Sequence, residues 1–232
     1  MADNKVVKEP IVPLDDTSAN DRLSKSEEFV AKNKKVLSIA TLVIAVIGGL
    51  FIFYKYYINN QDKEAQAEMF SAVYNFEADS LDKAIKGDGK DLGLLDISET
   101  YDQTKAGNLA NFYLGVSYLK KGKFDDAITY LENFKSNDLL VQARAYCLLG
   151  DAYMEKKDLE SAVENYKKAA EYKPNESFTP RYLMKLAYAY ELQKDFDSAV
   201  KAYDEIIEKY YKAPEANDAK KYKAKAQALA SN

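Results

Sequence analysis

From residue 106 to residue 212, apolar positions recur every three or four residues, and short polar turns interrupt them at regular intervals. This spacing is typical of amphipathic α-helices joined in pairs. One pattern marks a turn and the start of a second helix, and it occurs as Phe124-Asp125-Asp126-Ala127-Ile128, Leu159-Glu160-Ser161-Ala162-Val163 and Phe196-Asp197-Ser198-Ala199-Val200. The alanines of these copies are 35 and 37 residues apart. The chain therefore contains an internally repeated helix pair.

The helices that precede these turns repeat a second pattern. Leu149-Gly150 with Tyr153 recurs as Leu114-Gly115 with Tyr118 and as Leu186-Ala187 with Tyr190. A small residue such as Gly150 allows the facing helix to approach closely, because a Cβ there would hold the two backbones apart. We therefore assign repeat-packing roles to Gly115, Tyr118, Ala127, Gly150, Tyr153, Ala162, Ala187, Tyr190 and Ala199.

These positions resemble the tetratricopeptide repeat (TPR), in which small and large residues stand at fixed offsets over about 34 residues. A degraded fourth copy, Leu81-Asp82-Lys83-Ala84-Ile85, places its alanine 43 residues before Ala127. The resemblance implies an all-α fold in which helix pairs stack into a TPR-like α-solenoid. Glu215 to Ala230 has a narrow apolar face, and we expect it to cover the last repeat as a C-terminal capping helix.

Residues 36–57 differ in character from the rest, because no charge occurs between Val36 and Tyr54. A helix of this length rises about 33 Å, enough to cross a bilayer core of roughly 30 Å. We predict that this segment is a transmembrane signal anchor; the alternative is a buried core helix. A cleaved signal peptide fits poorly, since a largely polar lead-in of 35 residues precedes the segment, the apolar run is too long, and no Ala-x-Ala-like site follows it.

Basic residues are more frequent before this segment than after it: Arg22, Lys25, Lys32, Lys34 and Lys35 against Lys55 and Lys63. The positive-inside rule therefore predicts a cytoplasmic N-terminus and repeats on the extracytoplasmic side. Residues 1–35 contain two prolines and few large apolar groups, so we expect a disordered tail with a short helix near Ser24–Asn33 at most. The predicted order is a disordered cytoplasmic tail (1–35), the anchor (36–57), a degraded TPR-like helix pair with a Gly-rich loop and a short helix (58–105), three TPRs (106–212) and the cap (213–232).

Composition argues against several classes of function. The formal charge of −4 gives no electrostatic support for nucleic-acid binding. The chain has no histidine, which removes His-based acid–base catalysis, Ser–His and Cys–His nucleophiles and most zinc sites. Cys147 is the only cysteine, and we expect it to be a small residue in a packed or groove-facing position. We predict a non-enzymatic protein with no catalytic residue, cofactor, metal or small-molecule substrate.

The first helix of each pair lines the concave side of a TPR array, where partners usually bind. Counting the tyrosine of each repeat as position 11, the groove-facing positions are 2, 5, 9 and 12. They are Leu109, Phe112, Val116 and Leu119 in the first repeat, Arg144, Cys147, Asp151 and Met154 in the second, and Arg181, Met184, Tyr188 and Glu191 in the third. This lining is largely apolar at its membrane-proximal end and mixed further on. It suits an unfolded or helical segment of a protein partner.

The layout of a tail, a single span and extracytoplasmic TPRs resembles the ancillary subunit of the bacterial Sec translocon. That resemblance implies a single-pass inner-membrane protein with a periplasmic TPR domain. It also implies translocon components, a periplasmic chaperone or nascent chains as partners. Our first hypothesis is a membrane-anchored adaptor or scaffold with a chaperone-like role toward emerging secretory proteins. The alternative is a structural subunit of an envelope assembly or motility complex that uses the outer face of the array.

Overall fold

The structure, a computed structural model, describes the backbone of residues 16–231 and the side chains of residues 24–231. Within that range all regular secondary structure is α-helix, and no strand occurs. The chain divides into two compact units, Met1–Tyr56 and Tyr57–Asn232. The helices are α1 (Asp16–Lys32), α2 (Lys34–Glu77), α3 (Leu81–Lys86), α4 (Leu94–Thr100), α5 (Lys105–Lys120), α6 (Phe124–Asn133), α7 (Val141–Glu155), α8 (Leu159–Glu171), α9 (Thr179–Gln193), α10 (Phe196–Lys209) and α11 (Glu215–Ala230).

The N-terminal unit differs from the expected disordered tail. Residues 1–15 lie outside the described range of the chain, but α1 makes Asp16–Lys32 helical, about twice the length of the short helix considered near Ser24–Asn33. The physical reason is local: eight of its 17 residues are Ala, Leu, Lys, Arg or Glu, which have high helix propensity, and both prolines of the tail precede it. Low hydrophobicity predicts that a segment lacks a core of its own, but it does not exclude helix.

Helix α2 contains the segment that was expected to be an anchor. It is the one helix in the described range that is long and apolar enough to cross a membrane. The large apolar side chains from Leu42 to Tyr57 are all exposed. The alternative of a buried core helix is therefore wrong for this segment.

The C-terminal unit consists of stacked helix pairs. The pairs α5–α6, α7–α8 and α9–α10 fall at the three clear repeats of the sequence, and α11 packs on α9 and α10. Before them, the end of α2 packs through Ala65, Met69 and Ala72 into one apolar cluster with α3, α4 and α5. Asp62 on α2 also accepts a hydrogen bond from the backbone N–H of Ala106 (2.9 Å) at the start of α5.

All four helix pairs are joined by the same turn. A left-handed residue closes the first helix of each pair, and these residues are Asp79, Gly122, Lys157 and Lys194, with φ between +56° and +69°. The next N–H donates to the carbonyl five residues earlier, from Lys123 to Tyr118 (2.9 Å) and likewise from Ser80 to Asn75 (2.8 Å). This is the Schellman arrangement of a helix C-terminus. Asp79 thus gives α2 and α3 the same register as the later repeats, offset by the 43 residues counted from the sequence.

Small residues bring the two helices of each pair together. A Cβ on Gly150 would lie 2.5 Å from ring atoms of Tyr166, and a Cβ on Gly115 would overlap the side chain of Leu131. In the third pair Ala187 takes this position and is fully buried. On the second helices, Ala127, Ala162 and Ala199 are all 0% exposed. Tyr118 is also buried, whereas Tyr153 and Tyr190 are half-buried.

Candidate partner-binding groove

The twelve groove positions lie on the first helices α5, α7 and α9. Eight of them are half-buried, three are exposed and one, Cys147, is buried. Tyr188 is the most open apolar member, at 55% exposure. Most of these side chains are therefore at least partly accessible to solvent. The neighbours of each side chain determine whether it is available to a partner.

A cavity of about 650 Å³ lies between the end of α2 and the start of α5. Apolar side chains dominate its lining: Met69, Phe70, Val73 and Tyr74 on α2 and Ala106 and Leu109 on α5, together with the polar residues Gln66, Glu77 and Lys105. Subtracting the offset of 43 residues, Gln66, Met69 and Val73 take positions 2, 5 and 9 of the degraded repeat. The cavity, which we call the α2–α5 groove, therefore continues the groove positions of α5 onto α2.

The sequence-based assignment missed the α2 side of this groove. The sequence contains the signal that would have found it. Ala84 and Ala127 are 43 residues apart, and the same offset aligns Gln66 with Leu109 and Val73 with Val116. The degraded repeat lacks the Leu-Gly-Tyr pattern, so its first helix was not numbered. The turn at Asp79 supplies the register that the missing pattern could not.

On α5, aromatic neighbours hold the apolar groove side chains. Phe112 contacts Phe134, with ring centroids 5.3 Å apart, and Tyr113 at 6.0 Å. Leu109 and Leu119 pack against two apolar clusters at once. This packing leaves Phe112, Val116 and Leu119 half-buried, so they form a preorganised apolar wall.

On α7, Asp151 is engaged within the chain. Its carboxylate accepts a hydrogen bond from the Tyr166 hydroxyl (2.6 Å) on α8 and pairs with the Lys185 ammonium (2.6 Å) on α9. Burial and this carboxylate together raise the pKa of Tyr166 far above its ordinary value. Asp151 therefore joins three consecutive helices, which makes it a packing residue as well as a groove position.

In the following repeat, Glu191 has the same role. It accepts hydrogen bonds from the Tyr203 hydroxyl (2.8 Å) on α10 and from Lys225 (3.0 Å) on α11. Its side chain is only 8% exposed. Arg181 is exposed but pairs with Glu215 (3.0 Å) at the start of α11. These charges stabilise the array before any partner binds.

Cys147 was expected at a packed or groove-facing position, and its burial fits the packed alternative. It is 7% exposed, and burial raises the pKa of its thiol to about 12. A thiol with that pKa is protonated at neutral pH and a poor nucleophile. Arg144, Met154 and Met184 are the more accessible members of the lining around it.

Within the described residues, no three Cys, Asp or Glu side chains are grouped so that they could hold a metal ion. The carboxylates nearest the groove, Asp151 and Glu191, already bond to tyrosine and lysine. The chemistry that this surface offers is burial of apolar side chains beside a few fixed charges.

Two tetratricopeptide repeat family models match the chain, one over residues 143–176 and the other over residues 109–138 and 181–210. These segments are tetratricopeptide repeats. The fold also resembles crystal structures of nearly identical TPR-like repeats of a Podosopora anserina protein described as a putative kinesin light chain, with a TM-score of 0.56 and 14% identity over 73% of this chain and 88% of that one. The structure of MamA is similar as well, with a TM-score of 0.51 and 19% identity over 71% of this chain and 87% of MamA. At these identities the likeness is one of fold alone, and no curated protein matches the sequence.

Proposed function

We propose that this protein is a membrane-anchored TPR scaffold that holds an apolar segment of a protein partner on its first helices. The observation that carries the proposal is the α2–α5 groove, an apolar cavity of about 650 Å³ continuous in register with Phe112 and Val116. Apolar grooves between helices bind a partner's amphipathic segment by burying its apolar face. The repeats supply a rigid frame for that surface.

The anchor in this proposal is the apolar segment of α2. Exposure of every large apolar side chain from Leu42 to Tyr57 supports it, because such a surface is stable in lipid and costly in water. The excess of lysine and arginine before the segment favours an N-terminus in the cytoplasm and repeats outside it. Protease added to intact cells after outer-membrane permeabilisation should digest the repeats, and their protection would contradict this orientation.

The partner class follows from the groove and from the resemblance to the ancillary translocon subunit. An apolar groove on the extracytoplasmic side suits apolar segments of emerging secretory proteins, a periplasmic chaperone or an exposed translocon helix. These partners require the extracytoplasmic orientation of the repeats as well as the groove. The support for them is the apolar lining at Met69, Val73 and Leu109.

The test is site-specific photo-crosslinking of the full chain in membranes. Leu109 and Val116, on the groove side, are replaced one at a time by p-benzoyl-phenylalanine, and Lys168, an exposed residue of α8, is the matched control. We expect adducts with translocon components, a chaperone or nascent secretory chains from the groove positions and none from position 168. Adducts from position 168 alone would instead indicate a structural subunit that uses the outer face. Absence of adducts at all three positions would overturn the scaffold proposal.

A further inference from the structure

The second helix of one repeat packs on the first helix of the next. Leu131 on α6 shares an apolar cluster with Ala145 and Ala152 on α7, and α8 likewise packs on α9. Ala145 and Ala152 take positions 3 and 10 of their repeat, and both are fully buried. Short connections make consecutive helices of such an array antiparallel. Positions 3 and 10 of a first helix are therefore where an antiparallel helix of the preceding repeat packs.

Within residues 57–231, no helix covers the corresponding positions of α2. The offset of 43 residues makes Ala67 position 3 and Tyr74 position 10, and Phe70 lies between them on the same face. Phe70 is 77% exposed and Tyr74 is 66% exposed. Both rings also line the α2–α5 groove, together with Leu109 of α5. The groove proposed to bind a partner therefore includes the place that a preceding second helix would take.

The length of this groove matches a short helix. It runs along α2 from Gln66 to Glu77, a rise of about 16 Å or three helical turns. The second helices of the array have a similar length, since α6 has 10 residues and α8 has 13. An extended peptide fits less well, because the described residues 16–231 contain no strand that could pair with its backbone. A helix satisfies its backbone groups internally.

Charged side chains of opposite sign lie at the two ends of the groove. Lys105 is at the Gln66 end, since the next backbone N–H, that of Ala106, donates to Asp62 on α2. Glu77 is at the other end, and both charged side chains are exposed. Neither forms an ion pair within the part of the chain that the structure describes. Cations stabilise the C-terminal end of a helix and anions its N-terminal end. The two charges therefore favour a helix that runs antiparallel to α2.

The other acidic residues in this part of α2 do not cancel that polarity. The carboxylate of Asp62 already accepts hydrogen bonds from the start of α5 and from the amide of Gln66 (2.8 Å). Glu64 and Glu68 lie on the far side of α2, where burial and then their charges raise the pKa of Tyr101. The positive charge of Lys105 is thus left at the Gln66 end of the groove.

We infer that the partner segment in the α2–α5 groove is an α-helix of about three turns that packs antiparallel to α2, in the place of a preceding second helix. Its apolar side covers Phe70, Tyr74 and Leu109. Its first turn lies near Glu77 and its last turn near Lys105. This inference rests on the proposed function, and it adds the conformation and the direction of the bound segment.

The test is disulfide trapping of a synthetic peptide on the full chain in mild detergent. The probe is a peptide of about 14 residues with blocked termini and with leucine at every third or fourth position, which gives a helix one apolar face. It carries a single cysteine at either its first or its last position. Ala67→Cys and Ala78→Cys are matched variants of the protein, because both alanines are exposed and they lie 11 residues, or about three turns, apart.

The Ala78→Cys variant should trap the peptide with the first-position cysteine at least about threefold better than the other peptide, and Ala67→Cys should show the reverse preference. The unaltered chain is the control, since Cys147 is buried and should give no adduct. Opposite preferences would overturn the antiparallel direction, and so would equal yields. Absence of adducts from both variants would overturn helix binding at this groove.

Two further arms separate the conformation of the peptide from the effect of charge. A peptide of the same composition with leucine at every second position has its apolar face as an extended strand, and equal trapping of it would overturn the helix. Glu77→Lys with Lys105→Glu should reduce the directional preference by about threefold, and an unchanged preference would overturn the role of these charges.

The photo-crosslinks at Leu109 and Val116 detect any segment in the groove, whatever its conformation. Crosslinks there without directional trapping of the helical peptide would therefore leave the scaffold proposal standing and overturn only this inference.

Discussion

At the scale of single residues, the left-handed turn position is glycine in the first TPR and lysine in the second and third. Gly122 has φ of +69°, while Lys157 and Lys194 adopt +62° with a Cβ present. The left-handed region costs an L-residue roughly 1–2 kcal/mol, whereas glycine enters it freely. The second and third turns therefore keep a local strain that the first turn lacks.

We predict that Lys157→Gly and Lys194→Gly each raise the free energy of unfolding, by about 0.5–1 kcal/mol once the greater freedom of glycine in the unfolded chain is counted. Urea unfolding of the purified protein, followed by circular dichroism, measures the change. Gly122→Ala is the converse control and should lower the free energy of unfolding by a similar amount. Stabilisation by Gly122→Ala would contradict the assignment of one shared turn.

The close approach at Gly150 leads to a second prediction at this scale. Gly150→Leu should lower the free energy of unfolding by roughly 1–3 kcal/mol or more, because its Cβ alone would lie 2.5 Å from the Tyr166 ring. Thermal unfolding measures the loss. Tyr166→Ala vacates the contacted volume, so the double variant should lose less than the sum of the two single losses. Strict additivity would mean that the two side chains do not meet.

At the scale of helices, sequence periodicity predicts the elements well where each repeats a local pattern. It places the last helix at Glu215–Ala230 and a short helix after the Gly-rich loop within residues 58–105, and the structure has α11 and α4 there. It does not predict the bonds between helices. Asp151 and Lys185 are 34 residues apart, and they meet only because α7 and α9 stack side by side. The α2 wall of the groove was missed for a different reason: the degraded repeat lacks the Leu-Gly-Tyr pattern by which the first helices were numbered.

Substitutions at Glu191 measure how much one such contact between helices contributes to the free energy of unfolding. Glu191→Ala leaves the Tyr203 hydroxyl without its acceptor, so we expect a loss of about 1–3 kcal/mol in the free energy of unfolding. Glu191→Gln keeps an acceptor for the hydroxyl and loses only the charge opposite Lys225, so it should cost under about 1 kcal/mol. Chemical denaturation compares the two variants. Equal losses would show that the contact with Lys225 dominates.

At the scale of the whole array, α11 closes the C-terminal end of the C-terminal unit. Ala216, Ala219 and Ala226 join the apolar cluster of the last two repeats, and Tyr222 stacks on Tyr203 with centroids 6.2 Å apart. In a repeat array, stability is approximately a sum of repeat terms and nearest-neighbour interfaces. Loss of one end should therefore weaken the adjacent repeat most.

We predict that deletion of residues 214–232 lowers amide hydrogen-exchange protection in α9 and α10 by tenfold or more, equivalent to about 1.4 kcal/mol. Protection in α5 and α6 should change little, because two repeats separate them from the cut. Lys225→Ala is the control: it removes one ion pair with a largely exposed lysine and should cost under about 1 kcal/mol. If protection instead falls equally from α5 to α10, the repeats unfold as one cooperative unit, and the nearest-neighbour account of this array is wrong.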